Sequence, residues 1–280
     1  MADTDTHEIR TQAPERTSLV QVFAQGLTEI AAGLKRRPVW MALASEAILD
    51  QHRKTTLGPL WMVLNYLLYV GTFVVVLGDR GGVSNFPQYA ATGMFVWLLI
   101  SEAIRAGVIL FGQEESYIKG TRLPLTVYVL RLTMQLLIRS GYAAIGWVLI
   151  LVLTGFPGIP SILLAAVGCV LVVLTIPPMI LVFAIVGVYF PDMRFVVQNL
   201  VRAGIFLTPV FWVADTSHGL RRLLYAYDPF TYLLGVVREP ILYGAILSHT
   251  LWVSLGILAS VWVLAVGLLG LSHKKIVFLL

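Results

Sequence analysis

Long apolar blocks separated by short polar connections dominate the chain. Six blocks, at roughly 58–78, 88–111, 126–153, 161–189, 197–214 and 248–271, are each about the 20 residues that a helix needs to cross the hydrocarbon layer. Lipid offers the backbone no hydrogen-bond partner, so such blocks are helices. The expected fold is therefore an all-α polytopic membrane protein with six transmembrane helices, residues 57–280 forming the transmembrane domain. Two further regions have a different pattern. Residues 1–18 read as a flexible N-terminus, and 19–56 place Leu19, Val22, Phe23, Leu27 and Ile30, then Trp40, Leu43 and Ala47, at helical spacing, with Lys35, Arg36 and Arg37 between the two runs. That pattern suits amphipathic helices lying in the interface plane, or a helix of a cytoplasmic bundle. Residues 215–247 break short apolar stretches with Arg221, Arg222, Asp228, Arg238 and Glu239, and read as re-entrant half-helices.

Composition agrees with the pattern. Hydrophobic residues make up 58%, charged residues 12%, and the mean hydropathy is +0.84. A soluble domain carries about 25% charged residues, so half that number leaves much of the exterior to lipid. The net charge of +5 does not point to nucleic acid, because the basic residues sit at the edges of apolar blocks. Counted by side, Arg10, Arg16, Lys35, Arg36, Arg37, Arg53, Lys54, Lys119, Arg122, Arg194, Lys274 and Lys275 fall on one face of the bilayer. Arg80, Arg221, Arg222 and Arg238 fall on the other, which predicts both termini in the cytoplasm of a bacterial cell and the chain in its inner membrane. The first 18 residues lack the apolar core of a cleavable signal peptide. Cys169, the one cysteine, excludes an internal disulfide.

No phosphate-cradling G-x-x-x-x-G-K-[ST] occurs, nor H-E-x-x-H or G-x-S-x-G, and the five histidines are scattered. The chain is thus expected to have no catalytic residue, metal or cofactor of its own, and any ATP-driven work needs a second polypeptide. Ionisable residues inside the blocks are few: Glu102, Arg105, Arg131, Arg139 and Arg202. Glu102 and Arg105 can pair at i,i+3, and a proton relay would need more carboxylates at depth. Tyr66, Tyr69 and Phe73 recur at spacings of three and four, giving one helix face a row of rings. Such a row suits stacking on sugar rings, and helix packing accounts for it equally well.

Four segments carry a resemblance. Arg53-Lys54-Thr55-Thr56-Leu57-Gly58-Pro59-Leu60-Trp61 is similar to an RYK-x-x-LG-x-LW pattern, and Tyr189-Phe190-Pro191-Asp192-Met193-Arg194 stands where a Phe-Arg-Asp-Ile-like turn is usual. Phe206-Leu207-Thr208-Pro209-Val210-Phe211-Trp212 is similar to a TPV-x-(Y/W) span end, and Tyr227-Asp228-Pro229-Phe230 with Arg238 to an NP…R segment. In this order, from about residue 38 onward, they resemble the polysaccharide-export branch of the type-2 ABC exporters. Asp228 replaces the usual Asn, and the Arg-Asp turn is rearranged to Asp192-Met193-Arg194.

The resemblance implies a homodimer with two copies of a separate ABC ATPase that binds ATP and Mg, carrying an undecaprenyl-type lipid-linked glycan. It implies an aromatic glycan track of Trp61, Tyr66, Tyr69, Phe73, Phe95, Trp97, Phe206, Phe211 and Trp212 in a channel lined by the first, second and fifth spans. Arg53 and Lys54 would meet the lipid pyrophosphate at the inner mouth. Glu114, Glu115, Tyr117, Lys119 and Arg122 would contact the ATPase, together with the amphipathic N-terminal helix. Tyr227, Asp228, Pro229 and Arg238 would form an external gate. The rival readings are a type-2 exporter of a drug, lipid or other small hydrophobic molecule, and a transporter working without ATP, which the single deep carboxylate disfavours.

Overall fold

A computed structural model describes residues 18–52, 56–78, 85–212 and 220–280. Among these residues all regular structure is helical: α1 (Leu19–Lys35), α2 (Arg37–His52), α3 (Leu60–Leu77), α4 (Phe86–Gly107), α5 (Leu110–Gln113) and α6 (Glu115–Gly120). There follow α7 (Leu125–Thr154), α8 (Ile159–Tyr189), α9 (Met193–Leu207), α10 (Leu220–Tyr227), α11 (Pro229–Tyr243) and α12 (Ser248–Leu279). The protein is an all-α, polytopic membrane protein. Helices α3, α7, α8 and the Ser248–Ser272 part of α12 are long and apolar enough to cross a bilayer.

The remaining two expected spans differ for separate reasons. Helix α4, at 22 residues, is about 33 Å long, but its sequence is more polar because it is the central element. Small residues such as Ala90, Ala91 and Ala103 let α3, α7, α8 and α11 close around it, and its polar Gln88 and Thr92 are buried among them. Helix α9 has 15 residues, about 22 Å, against a hydrocarbon layer of about 30 Å. The block at 197–214 was expected to be one helix; instead Pro209 forces Thr208 into an extended conformation (φ −74°, ψ 141°), and the helix stops.

Helix α11 enters the bundle rather than lying across it. It packs on α8, α4 and α12, and the Val236 carbonyl abuts Gly168, about 14 Å along α8 from its first residue. A side chain at Gly168 would collide with that backbone. Gly244, in the left-handed region at φ 73°, ends α11.

At its N-terminal end α1 is fixed by a capping box, the Gln21 amide donating to Ser18 Oγ (3.3 Å) and the Ser18 amide to Gln21 Oε1 (2.9 Å). It runs antiparallel along α12, with Gly26 against the Val266 carbonyl and the Val22 carbonyl against Gly270. Leu19, Val20, Leu27 and Leu34 remain exposed on its other flank. Glu29 joins α1 to a third helix: its Oε1 accepts from the Leu125 amide (2.8 Å), and its carbonyl accepts from Thr126 Oγ1 (2.9 Å). Helix α7 has Pro124 before it and no side-chain cap of its own, so a carboxylate from α1 supplies one. Glu29→Ala should therefore destabilise the detergent-purified protein by about 1 kcal/mol, and Glu29→Gln by less, read as a fall in thermal midpoint.

Candidate functional site

The expected aromatic track divides into three groups. Tyr66 is 3% exposed; its hydroxyl donates to the Ala91 carbonyl (2.8 Å) and its ring fills the space over Gly146, so it joins α3 to α4 and α7. Trp97 is buried edge-on against Phe230 (5.8 Å), and Phe95 stacks on Trp147 (4.9 Å, 5°). Trp61, Tyr69 and Phe206 are exposed, at 38%, 49% and 67%. A ladder links the exposed group to the core: Tyr69 lies 5.6 Å from Phe73, which stacks on the buried Phe211 (4.0 Å, 14°). It carries α3 across to the segment that follows α9. Trp212 turns back, its Nε1 donating to the Phe206 carbonyl (2.9 Å).

That segment, Thr208 to Trp212, is irregular backbone inside the bundle, and its carbonyls need donors. Arg238, on α11, supplies them: Nη1 donates to the Pro209 carbonyl (2.8 Å) and Nη2 to that of Val210 (3.1 Å). The Tyr89 hydroxyl, on α4, lies 3.1 Å from the Pro209 carbonyl and 2.8 Å from that of Trp212, and its ring lies 3.7 Å beneath the guanidinium. Arg238 is 6% exposed and has no ion-pair partner among the described residues. Carbonyl dipoles and the ring face hold its charge instead. Glu239 turns to the other side, accepting from the Leu247 amide (2.8 Å) and Thr250 Oγ1 (2.6 Å).

Of the other residues expected at the gate, Tyr227 is 81% exposed. Asp228 caps α11, with Oδ1 accepting from the Phe230 amide (3.0 Å) and Oδ2 from Thr231 Oγ1 (3.3 Å), and Pro229 occupies the first helical position. Asp and Asn serve equally in that role, so the departure at 228 leaves the local geometry intact.

At the opposite end of the bundle, the expected ATPase-contact residues also separate. Glu114 is 8% exposed and pairs with Arg131 of α7 through both guanidinium nitrogens. Glu115 and Lys119 pair with each other at the surface (2.7 Å), Tyr117 is 65% exposed, and Arg122 is exposed. Thr121 Oγ1 lies 3.1 Å from the Tyr128 hydroxyl, a second tie to α7. A cavity of about 620 Å³ opens beside this end, lined by Gln113, Glu115, Arg194, Gln198 and Leu280 among others. Arg53 and Lys54 lie outside the described residues. No group of His, Cys, Asp and Glu among the described residues could hold a metal ion.

A profile of the ABC-2 type transporter family matches residues 38–242. The chain belongs to this family. The match runs from α2 into α11 and includes both the Arg238 contact and the Glu114–Arg131 pair; α1 and α12 lie outside it. The chain is also similar to "O-antigen export system permease protein RfbA" of Myxococcus xanthus, 26% identical over 216 residues, which cover 71% of this chain and 78% of that protein. As an ABC-2 family protein it is a membrane-embedded transport subunit, not an enzyme.

Sequence spacing alone did not single out the Glu29 cap or the Phe73–Phe211 stack, since both join elements far apart in the chain. Arg238→Ala would strand the buried Val210 carbonyl, at about 1–3 kcal/mol, and leave the Pro209 carbonyl only the Tyr89 hydroxyl. Arg238→Lys should recover only part, because one ammonium replaces a planar fork. Thermal midpoints of the purified variants check both, and a wild-type midpoint for Arg238→Ala would contradict the assignment.

Proposed function

We propose that this chain is the permease subunit of an exporter that moves a lipid-linked polysaccharide across a bacterial inner membrane, driven by a separate ATPase. The observation that carries the reading is the 26% identity to an O-antigen export permease over 71% of the chain. The exposed rings of Trp61, Tyr69 and Phe206 support it. Aromatic faces stack on the C–H faces of sugar rings whatever the sugar, and weak repeated contacts let a chain slide as well as bind.

In this reading two copies form a homodimer with α3, α4 and α9 towards the channel, and α4 and α9 complete six spans with both termini cytoplasmic. Two ATPase subunits, holding ATP and Mg, dock at the α5–α6 end. Closure of the ATPases on ATP moves α6; the Glu114–Arg131 pair passes that movement to α7, and Glu29 passes it on to α1. The paired charges make the three elements move as one body.

A second reading is favoured by one observation. An apolar cavity of about 330 Å³ between α4, α8 and α9, lined by Trp97, Ile104, Phe183, Val201 and Phe230 among others, is the size of a small hydrophobic ligand. An exporter of such molecules would use it directly. The decisive measurement is ATP hydrolysis by the reconstituted complex: stimulation by lipid-linked glycan and not by small hydrophobic compounds is expected, and the reverse would overturn the first reading.

Two variant sets test the parts. Glu115→Lys should reduce recovery of the ATPase in pull-downs without changing the thermal midpoint. Glu114→Gln should lower the midpoint by breaking a largely buried pair, at about 3 kcal/mol. Replacing Trp61, Tyr69 and Phe206 together with Ala should reduce export while leaving assembly intact, whereas Tyr66→Ala should destabilise the bundle. Unchanged export with all three exposed rings removed would eliminate the glycan track.

A further inference from the structure

Between α2, α3, α4 and α7 lies a cavity of about 390 Å³ whose wall is charged. Glu102 on α4 pairs with Arg105 one turn later and lies 3.5 Å from Nη1 of Arg139 on α7. Arg139 also donates through Nη2 to Gln51 Oε1 of α2 (2.8 Å). Among the described residues, two guanidinium groups thus share one carboxylate, leaving the cluster one positive charge in excess. The Nε of Arg139 is buried and has no hydrogen-bond partner among the described residues.

The internal arrangement does not satisfy these cations. Arg105 remains 54% exposed and Arg139 36% exposed, both lining the cavity, where an unbalanced charge beside apolar walls of Leu98, Leu99 and Leu136 favours an incoming anion. The guanidinium fork fits the tetrahedral oxygens of a phosphate, which a carboxylate only partly imitates. Asn65, Ser140 and Tyr69 add neutral hydrogen-bonding groups to the same wall, suited to hydroxyls next to that phosphate. Tyr69 is also the exposed end of the ring ladder to Phe73 and Phe211.

We propose that this cavity binds the phosphate of an amphiphilic lipid, held by Arg105 and Arg139, with Glu102 occupying the phosphate position when the site is empty. The phosphate has two possible carriers: an anionic phospholipid of the bilayer, or the polyprenyl phosphate that bears the glycan. Only the second rests on the export reading above.

The test is native mass spectrometry of the purified full chain, titrated separately with phosphatidylglycerol, undecaprenyl phosphate and phosphatidylcholine. Wild type should retain one anionic phosphate lipid per chain, and phosphatidylcholine, whose choline neutralises its phosphate, should not compete. Arg105→Gln and Arg139→Gln should each weaken retention about tenfold, the effect of losing one charge-assisted hydrogen bond. Glu102→Gln should strengthen it, since a resident competitor is gone. That opposite sign separates a binding site from a structural tie: if Glu102→Gln weakens retention as the arginine variants do, or none of the three changes it, the proposal is overturned. Preference for undecaprenyl phosphate assigns the site to the cargo, and preference for phosphatidylglycerol assigns it to the bilayer. Retention by a protein whose ATPase complex ignores glycan would leave this site standing and remove the export reading alone.

Discussion

A backbone that leaves helical geometry within a membrane protein must find its hydrogen bonds in protein, because lipid supplies none. Here that requirement falls on the five residues after α9, and one arginine and one tyrosine meet it at three of the carbonyls. The guanidinium of Arg238 joins the Pro209 and Val210 carbonyls, and the Tyr89 ring lies beneath it. Much of this end of the molecule follows from that contact. Helix α11 has to be deep enough to present Arg238, so α8 carries a glycine where α11 meets it. Glu239 has to face away, so it secures the start of α12. Helix α9 can be short because its continuation is anchored.

The other end is built from carboxylates that reach across between elements. Glu114 with Arg131 and Glu29 with the α7 N-terminus fasten the short α5–α6 segment and the amphipathic α1 to one long helix. On the same segment Glu115 and Lys119 pair with each other at the surface, and Arg122 is exposed. This end of the bundle thus has partly buried ties between α1, α7 and the α5–α6 segment, with charged side chains on its outer surface.

The apolar blocks were legible in sequence because lipid imposes a length and a composition, and α3, α7, α8 and α12 appear where those blocks lie. Pro209 explains why the block at 197–214 stops early, and its effect on Thr208 follows from local sterics. Neighbours across the fold were less legible. Spacing put Tyr66, Tyr69 and Phe73 on one face but could not tell that α4 covers Tyr66 and leaves Tyr69 open. Adjacent Glu114 and Glu115 look alike in sequence; only the position of Arg131 one helix away separates them. The resemblance implied a gate role for Arg238, but sequence could not show its burial, which depends on carbonyls nearly thirty residues earlier.

The seat of α1 has a consequence for biogenesis. Its glycine at 26 fits against the backbone of α12 at Val266, and Gly270 receives the backbone of Val22. Helix α1 leaves the ribosome long before its seat on α12 has been made. During synthesis the face with Val22 and Gly26 must wait without its partner, and the two ends of the described chain come together in a late step of assembly. A nascent chain cut short before α12 would therefore leave that face of α1 uncovered.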